Sequence, residues 1–289
     1  MFIDESAELE RLRQRGLDVE RGIAICERLS SDWKFNVRGL LAGATNCLVA
    51  IGMDSEGREV VLRVPLSQDE LVSGYHAQLA FSGRGGAPIF AHEAETGSTL
   101  MARLLPGTML LDVGKSPARE VVACCTVIRK LDQPSIPEAV AVEDWYEPFL
   151  AVNEAEGIPS EMLLDAQRTA SQLLSSTERP RLLHGDLHHF NLLLHGDEWF
   201  AIDPHGVNGD PAMEPAAFLR NPSASILDQA NPVGLMDIRI RTFAECLGIS
   251  ATRIWQWGVA HNVLSAWWDP PKDRAPTIEV VRAIIQAKP

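Results

Sequence analysis

The pattern of apolar residues changes character at Pro106-Gly107, and this change limits the possible folds more than any other feature of the chain. Ahead of it lie short β-prone runs. Cys47-Leu48-Val49-Ala50-Ile51 and Val60-Val61-Leu62-Arg63-Val64 flank the turn Asp54-Ser55-Glu56-Gly57, which predicts a strand–turn–strand hairpin. Ile89-Phe90-Ala91 and Thr99 to Leu105 add further strands, and a helix is expected near Glu70–Phe81, ending at Ser82-Gly83-Arg84-Gly85-Gly86. The first thirty or so residues carry helical spacing of Leu9, Leu12, Leu17, Ile23, Ile25 and Leu29. Behind Pro106 the periodicity becomes helical, at Val121–Leu131, Ser160–Leu174 and about 213–288. One short apolar pair interrupts it, Asn191–Leu194 and Trp199–Ile202 around His195-Gly196-Asp197-Glu198. The expected class is α+β with two lobes, a small antiparallel sheet over 1–105 and a mostly helical lobe over 106–289. A cleft between them is the natural ligand site.

Composition narrows the partners. Asp and Glu number 39 against 26 Lys and Arg, a net charge of −13, while 46% of the residues are apolar. Such a chain has enough apolar residues to offset ordering entropy, so it is no disordered segment. It lacks the clustered Lys and Arg that phosphate contacts require, which argues against a nucleic-acid partner. An acidic surface favours solubility and, more weakly, cationic ligands. The start, Met1-Phe2-Ile3-Asp4-Glu5-Ser6, carries acid where a secretory signal carries base, and no apolar run approaches the roughly 18–20 residues of a membrane span. Cys26, Cys47, Cys124, Cys125 and Cys246 are odd in number and form no CxxC pair, so reduced structural thiols are expected. Together these features point to a cytoplasmic protein without membrane contact; oligomeric state is not encoded in any of them.

The densest polar cluster is His184-Gly185-Asp186-Leu187-His188-His189-Phe190-Asn191, followed by Ala201-Ile202-Asp203-Pro204. Asp186 and Asn191 are five residues apart, and Asp203 follows twelve later, across the short hairpin. The order matches the H-x-D-x-x-x-x-N loop of kinases followed by a metal-binding Asp. The chemistry accounts for the residue types: one carboxylate meets the attacking hydroxyl, and an amide and a second carboxylate hold Mg2+ against the phosphates. His188 and His189 beside Asp186 also allow a metallohydrolase reading, because imidazole binds Zn2+ or Mn2+. That reading needs further ligand clusters, whereas His76, His92 and His261 stand alone.

This cluster, together with Ile202-Asp203-Pro204-His205-Gly206-Val207 and Gly209-Asp210-Pro211, resembles the aminoglycoside phosphotransferase family, in its streptomycin 6-kinase and hydroxyurea-resistance branch. Ser82-Gly83-Arg84-Gly85, Leu104-Leu105-Pro106-Gly107, Phe218-Leu219-Arg220-Asn221-Pro222 and Leu264-Ser265-Ala266-Trp267 support it, so the resemblance spans about 45 to 268. It implies a bilobal protein-kinase-like fold and transfer of the ATP γ-phosphoryl group to a hydroxyl of a small molecule, such as streptomycin. Asp186 would then be the catalytic base, Asn191 and Asp203 the magnesium ligands, and Ala102 and Leu104 contacts of the cofactor ATP on the segment joining the lobes. His184 would brace the loop. A metabolic kinase unrelated to resistance would carry the same marks.

Three departures stand out. The strand position that holds a phosphate-binding Lys in kinases holds Arg63. Arginine binds phosphate bidentately, but its fork is bulkier than an ammonium. Either Arg63 serves a retuned enzyme, or the chain is a degenerate kinase that binds nucleotide without efficient transfer. Glu70 lies in the helix that should supply the partner of this cation, although acids are favoured at any helix start. Asp203 precedes Pro204 instead of Phe-Gly, a rigid turn better suited to constant activity than to a phosphorylation-controlled segment. On the acceptor side, the family's polyamine and guanidine substrates call for carboxylates, and Asp210 and Glu214 are the first candidates, with Asp269 behind them. Trp255, Trp257, Trp267 and Trp268 have spacings that read more readily as core than as a cation-binding box.

Overall fold

The fold is described from a computed structural model, for residues 6–67, 73–114 and 116–289. The leading helical segment is two helices, α1 (Ser6–Gln14) and α2 (Val19–Asp32), separated at Gly16 and restarted by Asp18, whose carboxylate accepts from the Arg21 N–H. A five-stranded antiparallel sheet follows: β1 (Asn36–Leu40), β2 (Cys47–Met53), β3 (Glu59–Pro65), then β4 (Ile89–Glu93) and β5 (Ser98–Ala102), in spatial order β1-β2-β3-β5-β4. The expected hairpin is β2–β3, with Val49 opposite Arg63. β1 had no clear signature in the sequence, because only Leu40 and its neighbour at the end of the strand are buried. α2 covers the sheet through Ile25, Cys26 and Leu29, and these pack with Leu48, Ala50, Val60, Leu62 and Val64 in a core separate from the rest of the protein.

The helix α3 (Ser73–Phe81) lies between β3 and β4 in sequence, yet its Ala77 and Phe81 belong to the larger core of the helical part. Gly74 explains the close approach: a Cβ there would lie 2.7 Å from the Pro204 carbonyl oxygen, so only glycine lets α3 reach the turn after Asp203. The loop behind α3 is tied to the same side, since Ala87 N–H donates to Ala201 O and Ala201 N–H to Gly85 O. Glu70, proposed from sequence as the helix partner of Arg63, lies outside the described residues.

The strand expected to run through Leu105 ends at Ala102, and a new strand begins at Pro106. β6 (Pro106–Met109) leaves the first sheet and pairs with β10 (Leu192–His195), which pairs with β11 (Glu198–Ala201). The second part continues with α4 (Pro117–Leu131), β7 (Gln133–Pro134), β8 (Val140–Ala141), α5 (Val142–Leu150), α6 (Ser160–Ser175) and β9 (Arg181–Leu183). After β11 come β12 (Val207–Gly209), α7 (Ala216–Arg220), α8 (Ser223–Leu227), α9 (Pro232–Leu247), α10 (Ala251–Trp268) and α11 (Ala275–Gln286). Their core runs through Tyr146, Phe149, Leu163, Phe218, Phe243 and Trp257, all fully buried. Among the described residues, no helix is long and apolar enough to cross a membrane.

Candidate active site

The loop 184–191 is held open between β9 and β10 by backbone hydrogen bonds that side chains organise. His184 is fully buried. Its Nε2 donates to Ile202 O at 2.9 Å, and its Nδ1 faces the Asp186 N–H at 3.4 Å. Burial pulls this imidazole down to about 4, so it is neutral and joins the loop to the strand end that carries Asp203. The His184 carbonyl accepts from His205 and Gly206 N–H at 2.9 and 3.1 Å, closing the turn in which Asp203 sits at φ 57°. A left-handed non-glycine residue costs about 1–3 kcal/mol, so the turn is imposed by its surroundings. Gly185, at φ 80°, is needed both for its conformation and for space, since a Cβ would meet Trp145 at 3.0 Å and Val207 at 3.1 Å.

The three oxygen-bearing residues expected to act together are brought together. Asn191 Nδ2 donates to the Asp186 carbonyl at 2.9 Å, and its own carbonyl accepts from Ile202 N–H at 3.0 Å. The amide is thereby oriented, and Asp203, which follows the Ile202 bonded to Asn191, is about half exposed. Two hard oxygen donors, with room left for phosphate and water, fit Mg2+. Arg63 is buried on β3 and reaches across the cleft, with Nη2 3.0 Å from Asp203 Oδ1. A narrow space of about 20 Å3 lies between the two parts, lined by Gln78, Phe81, Met101, Ile202 and Asp203 among others.

Two imidazoles and a guanidinium surround Asp186. His188 Nε2 lies 3.2 Å from Oδ2 and His205 Nε2 4.0 Å, while Arg220 Nη2 lies 3.7 Å from Oδ1. Burial alone would raise its pKa, but the His188 hydrogen bond and the neighbouring His205 and Arg220 outweigh burial and hold it at about 2. His188 Nδ1 accepts from Phe190 N–H at 3.3 Å, which leaves the Nε2 proton for the carboxylate. An ionised acid held in one rotamer, next to two metal-type oxygens and a guanidinium, is the apparatus of phosphoryl transfer to a hydroxyl. The histidines do not converge as metal ligands: His189 turns away to stack on Phe218 at 3.9 Å, near Glu120 and Arg239.

Residues 32–271 match the family model of the aminoglycoside/hydroxyurea antibiotic resistance kinases. The chain belongs to that family. Among curated proteins it is similar to the streptomycin 3''-kinase of Klebsiella pneumoniae, 32% identical over 72% of this chain and 79% of that protein. It is also similar to the streptomycin 6-kinase of Streptomyces glaucescens, 25% identical over 85% of this chain and 82% of that one. Among solved structures, a choline kinase from Streptococcus pneumoniae superposes with TM-score 0.65 at 13% identity, covering 92% of this chain and 99% of that one, a likeness of fold alone. The fold is therefore the protein-kinase-like one, and the protein is a phosphotransferase that acts on a small-molecule hydroxyl.

Two residues expected on the acceptor side of this kinase are structural braces. Asp210 is buried: Arg253 Nε and Trp257 Nε1 both donate to Oδ2, at 2.6 and 2.7 Å, and Ala212 N–H donates to Oδ1. Glu214 is buried behind the catalytic loop, where its two oxygens accept the N–H groups of His184 at 2.7 Å and Gly185 at 3.2 Å. Neither carboxylate is free to meet an acceptor. Their sequence position near Asp203 was the wrong guide, because a carboxylate seven or eleven residues beyond Asp203 is equally well placed to tie the turn down. Asp269 instead shares the neighbourhood of Arg220 and is partly exposed. Beside it Trp268, 46% exposed, meets Trp145 edge-on at 5.6 Å, and Trp145 meets His205 at 6.1 Å. Trp145 was missed from sequence because nothing near it in the chain carries chemistry; Trp257 is core, as its spacing indicated.

Ala102 and Leu104 have different fates. The Ala102 N–H donates to Pro88 O at 2.8 Å and is used up within the sheet edge. Leu104 lies between the two sheets, and its N–H has no partner among the described residues.

Burial raises the Glu214 carboxyl to about 7, against the pull of the two N–H bonds and with the Asp186 charge adding to the rise. A raised acid contributes stability that is complete below its unfolded value of 4.5 and lost as the pH climbs to about 7. At about 1.4 kcal/mol per pH unit, that loss is on the order of 3 kcal/mol. Glu214→Gln removes this titration. The melting temperature of the native protein should therefore fall from pH 5 to pH 8 relative to the variant, by about 6 °C. Parallel melting curves would remove Glu214 as the titrating group.

Proposed function

We propose that this chain is a Mg2+-ATP-dependent kinase for a cationic, hydroxyl-bearing aminocyclitol of the streptomycin type. The observation that carries this reading is the ionised Asp186, held by His188 beside Asn191 and Asp203, with Asp269 and the Trp145–Trp268 wall nearby. Residues 1–105 would form the nucleotide lobe and 106–289 the acceptor lobe. Asp186 orients the acceptor hydroxyl and takes its proton; at a pKa of about 2 it is a weak base, suited to a transition state in which the proton leaves late. Asn191 and Asp203 would hold Mg2+, whose charge neutralises the phosphates. The N–H of Leu104, without a partner among the described residues, supports a contact with adenine, while the bonded N–H of Ala102 leaves that residue only its carbonyl to offer. Exposed Trp rings and a carboxylate favour a guanidinium or ammonium group on the acceptor, in place of the contacts first expected from Asp210 and Glu214. A phosphate-release screen with streptomycin, other aminoglycosides, hydroxyurea, sugars and amino alcohols tests the class. Turnover confined to uncharged acceptors would defeat it.

One observation favours a second reading. Arg63 pairs directly with Asp203, so it competes for an oxygen assigned to the metal, as expected of a kinase that binds nucleotide and transfers slowly. Arg63→Met and Arg63→Lys separate the two. If Arg63 holds phosphates, the Met variant should lose affinity for AMP-PNP by at least about tenfold, as a charge-assisted bond implies, and Lys should keep most of it. Unchanged affinity in the Met variant, read by thermal-shift titration, removes phosphate binding from the roles of Arg63.

A further inference from the structure

Arg220 ends α7 as part of Phe218-Leu219-Arg220-Asn221-Pro222, and its guanidinium is set from behind. Nε donates to Asn262 Oδ1 at 3.2 Å. Asn262 is wholly buried on α10, and its Nδ2 donates to Ala216 O at 3.0 Å and Gly258 O at 2.8 Å, so its oxygen has only one direction to face. The carbonyls around the end of α7 are gathered by Arg239, which donates to Phe218, Leu219 and Asn221. This scaffold leaves Arg220 Nη2 3.7 Å from Asp186 Oδ1, with the two side chains 19% and 22% exposed. Among the described residues, Nη2 makes no closer polar contact. The interval is too long for a hydrogen bond. An Arg–carboxylate pair with only a structural purpose closes to about 2.8 Å.

We propose that the acceptor hydroxyl lies in this interval, donating its proton to Asp186 Oδ1 and accepting a hydrogen bond from Arg220 Nη2, which makes Arg220 a catalytic residue. The proposal rests on the phosphotransferase reading and adds to it the residue that places the nucleophile. An oxygen about 2.8 Å from each of two atoms closes a triangle on the observed separation. Oδ2 is already engaged by His188, so Oδ1 is the oxygen left for the hydroxyl. In the step, the acceptor oxygen forms its bond to the γ-phosphorus, and the bond from that phosphorus to the bridging oxygen breaks with its electron pair left on ADP. The hydroxyl proton passes to Asp186. The bond from Arg220 occupies one lone pair of the hydroxyl and leaves another aimed at phosphorus. Its positive charge also favours the developing alkoxide. The desolvated setting strengthens this effect, since burial already disfavours the charged form of Arg220 and the carboxylates of Asp186 and Asp269 sustain it.

The test uses the full-length protein with Arg220→Gln and Arg220→Lys, and two acceptors: streptomycin, and water in acceptor-free ATP hydrolysis, where water fills the same interval. Melting temperature with and without Mg2+ and AMP-PNP is measured alongside. The Gln variant should lose about 100-fold in kcat with either acceptor, as for loss of one preorganised donor, while keeping the AMP-PNP shift. The Lys variant, with one point donor that cannot serve Asn262 and the hydroxyl together, should fall between, about tenfold below the native enzyme. If the Gln variant does not fold, the Lys variant decides, and native kcat in it overturns the two-bond geometry. Gln retaining kcat within about threefold, or losing activity in step with the AMP-PNP shift, also overturns the proposal. Streptomycin left unphosphorylated by native protein whose ATP hydrolysis still depends on Arg220 supports Arg220 and removes streptomycin as acceptor. Native protein without any ATP turnover defeats the phosphotransferase reading and this proposal with it.

Discussion

Asp186→Asn should lower kcat for phosphoryl transfer by about a thousandfold, within the range a positioned base supplies, and leave binding of Mg2+ and AMP-PNP intact. The amide is isosteric, so Gly185, Leu187 and the backbone bonds of His184 are undisturbed. What is lost is the charge that His188, His205 and Arg220 surround. An amide in that place either turns its NH2 toward Oδ2's donor, His188, or toward the position of the acceptor hydroxyl. Both choices remove the acceptor of the proton. Single-turnover quench measurements with saturating ATP separate the chemical step from release of product, and the loss should appear in the chemical step. A variant with native turnover would mean that the proton goes elsewhere, and the assignment of Asp186 as base would fall. The direction with pH follows from the same charges. A base held near 2 is ionised throughout the neutral range, so titration of Asp186 should add no acid limb to the kcat profile above pH 5.

The second large effect is on folding. Arg239→Met should destabilise the protein by about 3 kcal/mol or more, the scale for buried polar groups stripped of their partner. Arg239 is almost fully buried on α9, and its Nη1 collects the carbonyls of Phe218 and Asn221 at 3.1 Å each and Leu219 at 3.5 Å. Those oxygens belong to the end of a five-residue helix, too short to sustain itself without outside partners. The ring of Phe218, 5.2 Å from the guanidinium and stacked on His189, covers the same charge. Burial lowers the Arg239 pKa to about 10, so the side chain stays charged at neutral pH despite its position. Methionine keeps much of the volume and removes every donor. The melting temperature should drop by about 6 °C or more. Because α7 carries Arg220, partly folded variants should also lose kcat at temperatures well below melting. A drop of under about 1 °C would show that the carbonyls find water instead.

The geometry of the loop 184–191 was legible in the chain because it is local. The spacing of Asp186, Asn191 and Asp203 across one tight hairpin is a property of consecutive residues, and hydrogen bonds from Asn191 to Asp186 and from Ile202 to Asn191 close it. The β2–β3 hairpin and helices α4 and α6 were legible for the same reason, since apolar periodicity reports which face meets a core. β1 was not, because an edge strand with one buried end carries little of that signal. Nor was the end of β5, where the break at Ala102 is decided by Pro106 pairing with His195 in the other sheet.

The acceptor side was the part that proximity in sequence misjudged. Asp210 and Glu214 follow the metal loop closely, but a carboxylate's role depends on which donors reach it, and Arg253, Trp257 and the N–H groups of His184 and Gly185 arrive from elsewhere. The contacts of Arg63 with Asp203 and of Arg220 with Asp186 join residues 140 and 34 apart. No periodicity encodes such pairs; they exist because β3, α7 and α10 pack around one cleft. The sequence by itself thus determined the class of fold, the order of sheet and helices and the local spacing of Asp186, Asn191 and Asp203, all set by short-range spacing and hydrophobic pattern. Only the tertiary structure decided that Asp210 and Glu214 are bonded inside the protein and that Arg220 faces Asp186, because packing brings charges together from segments whose sequences carry no mark of one another.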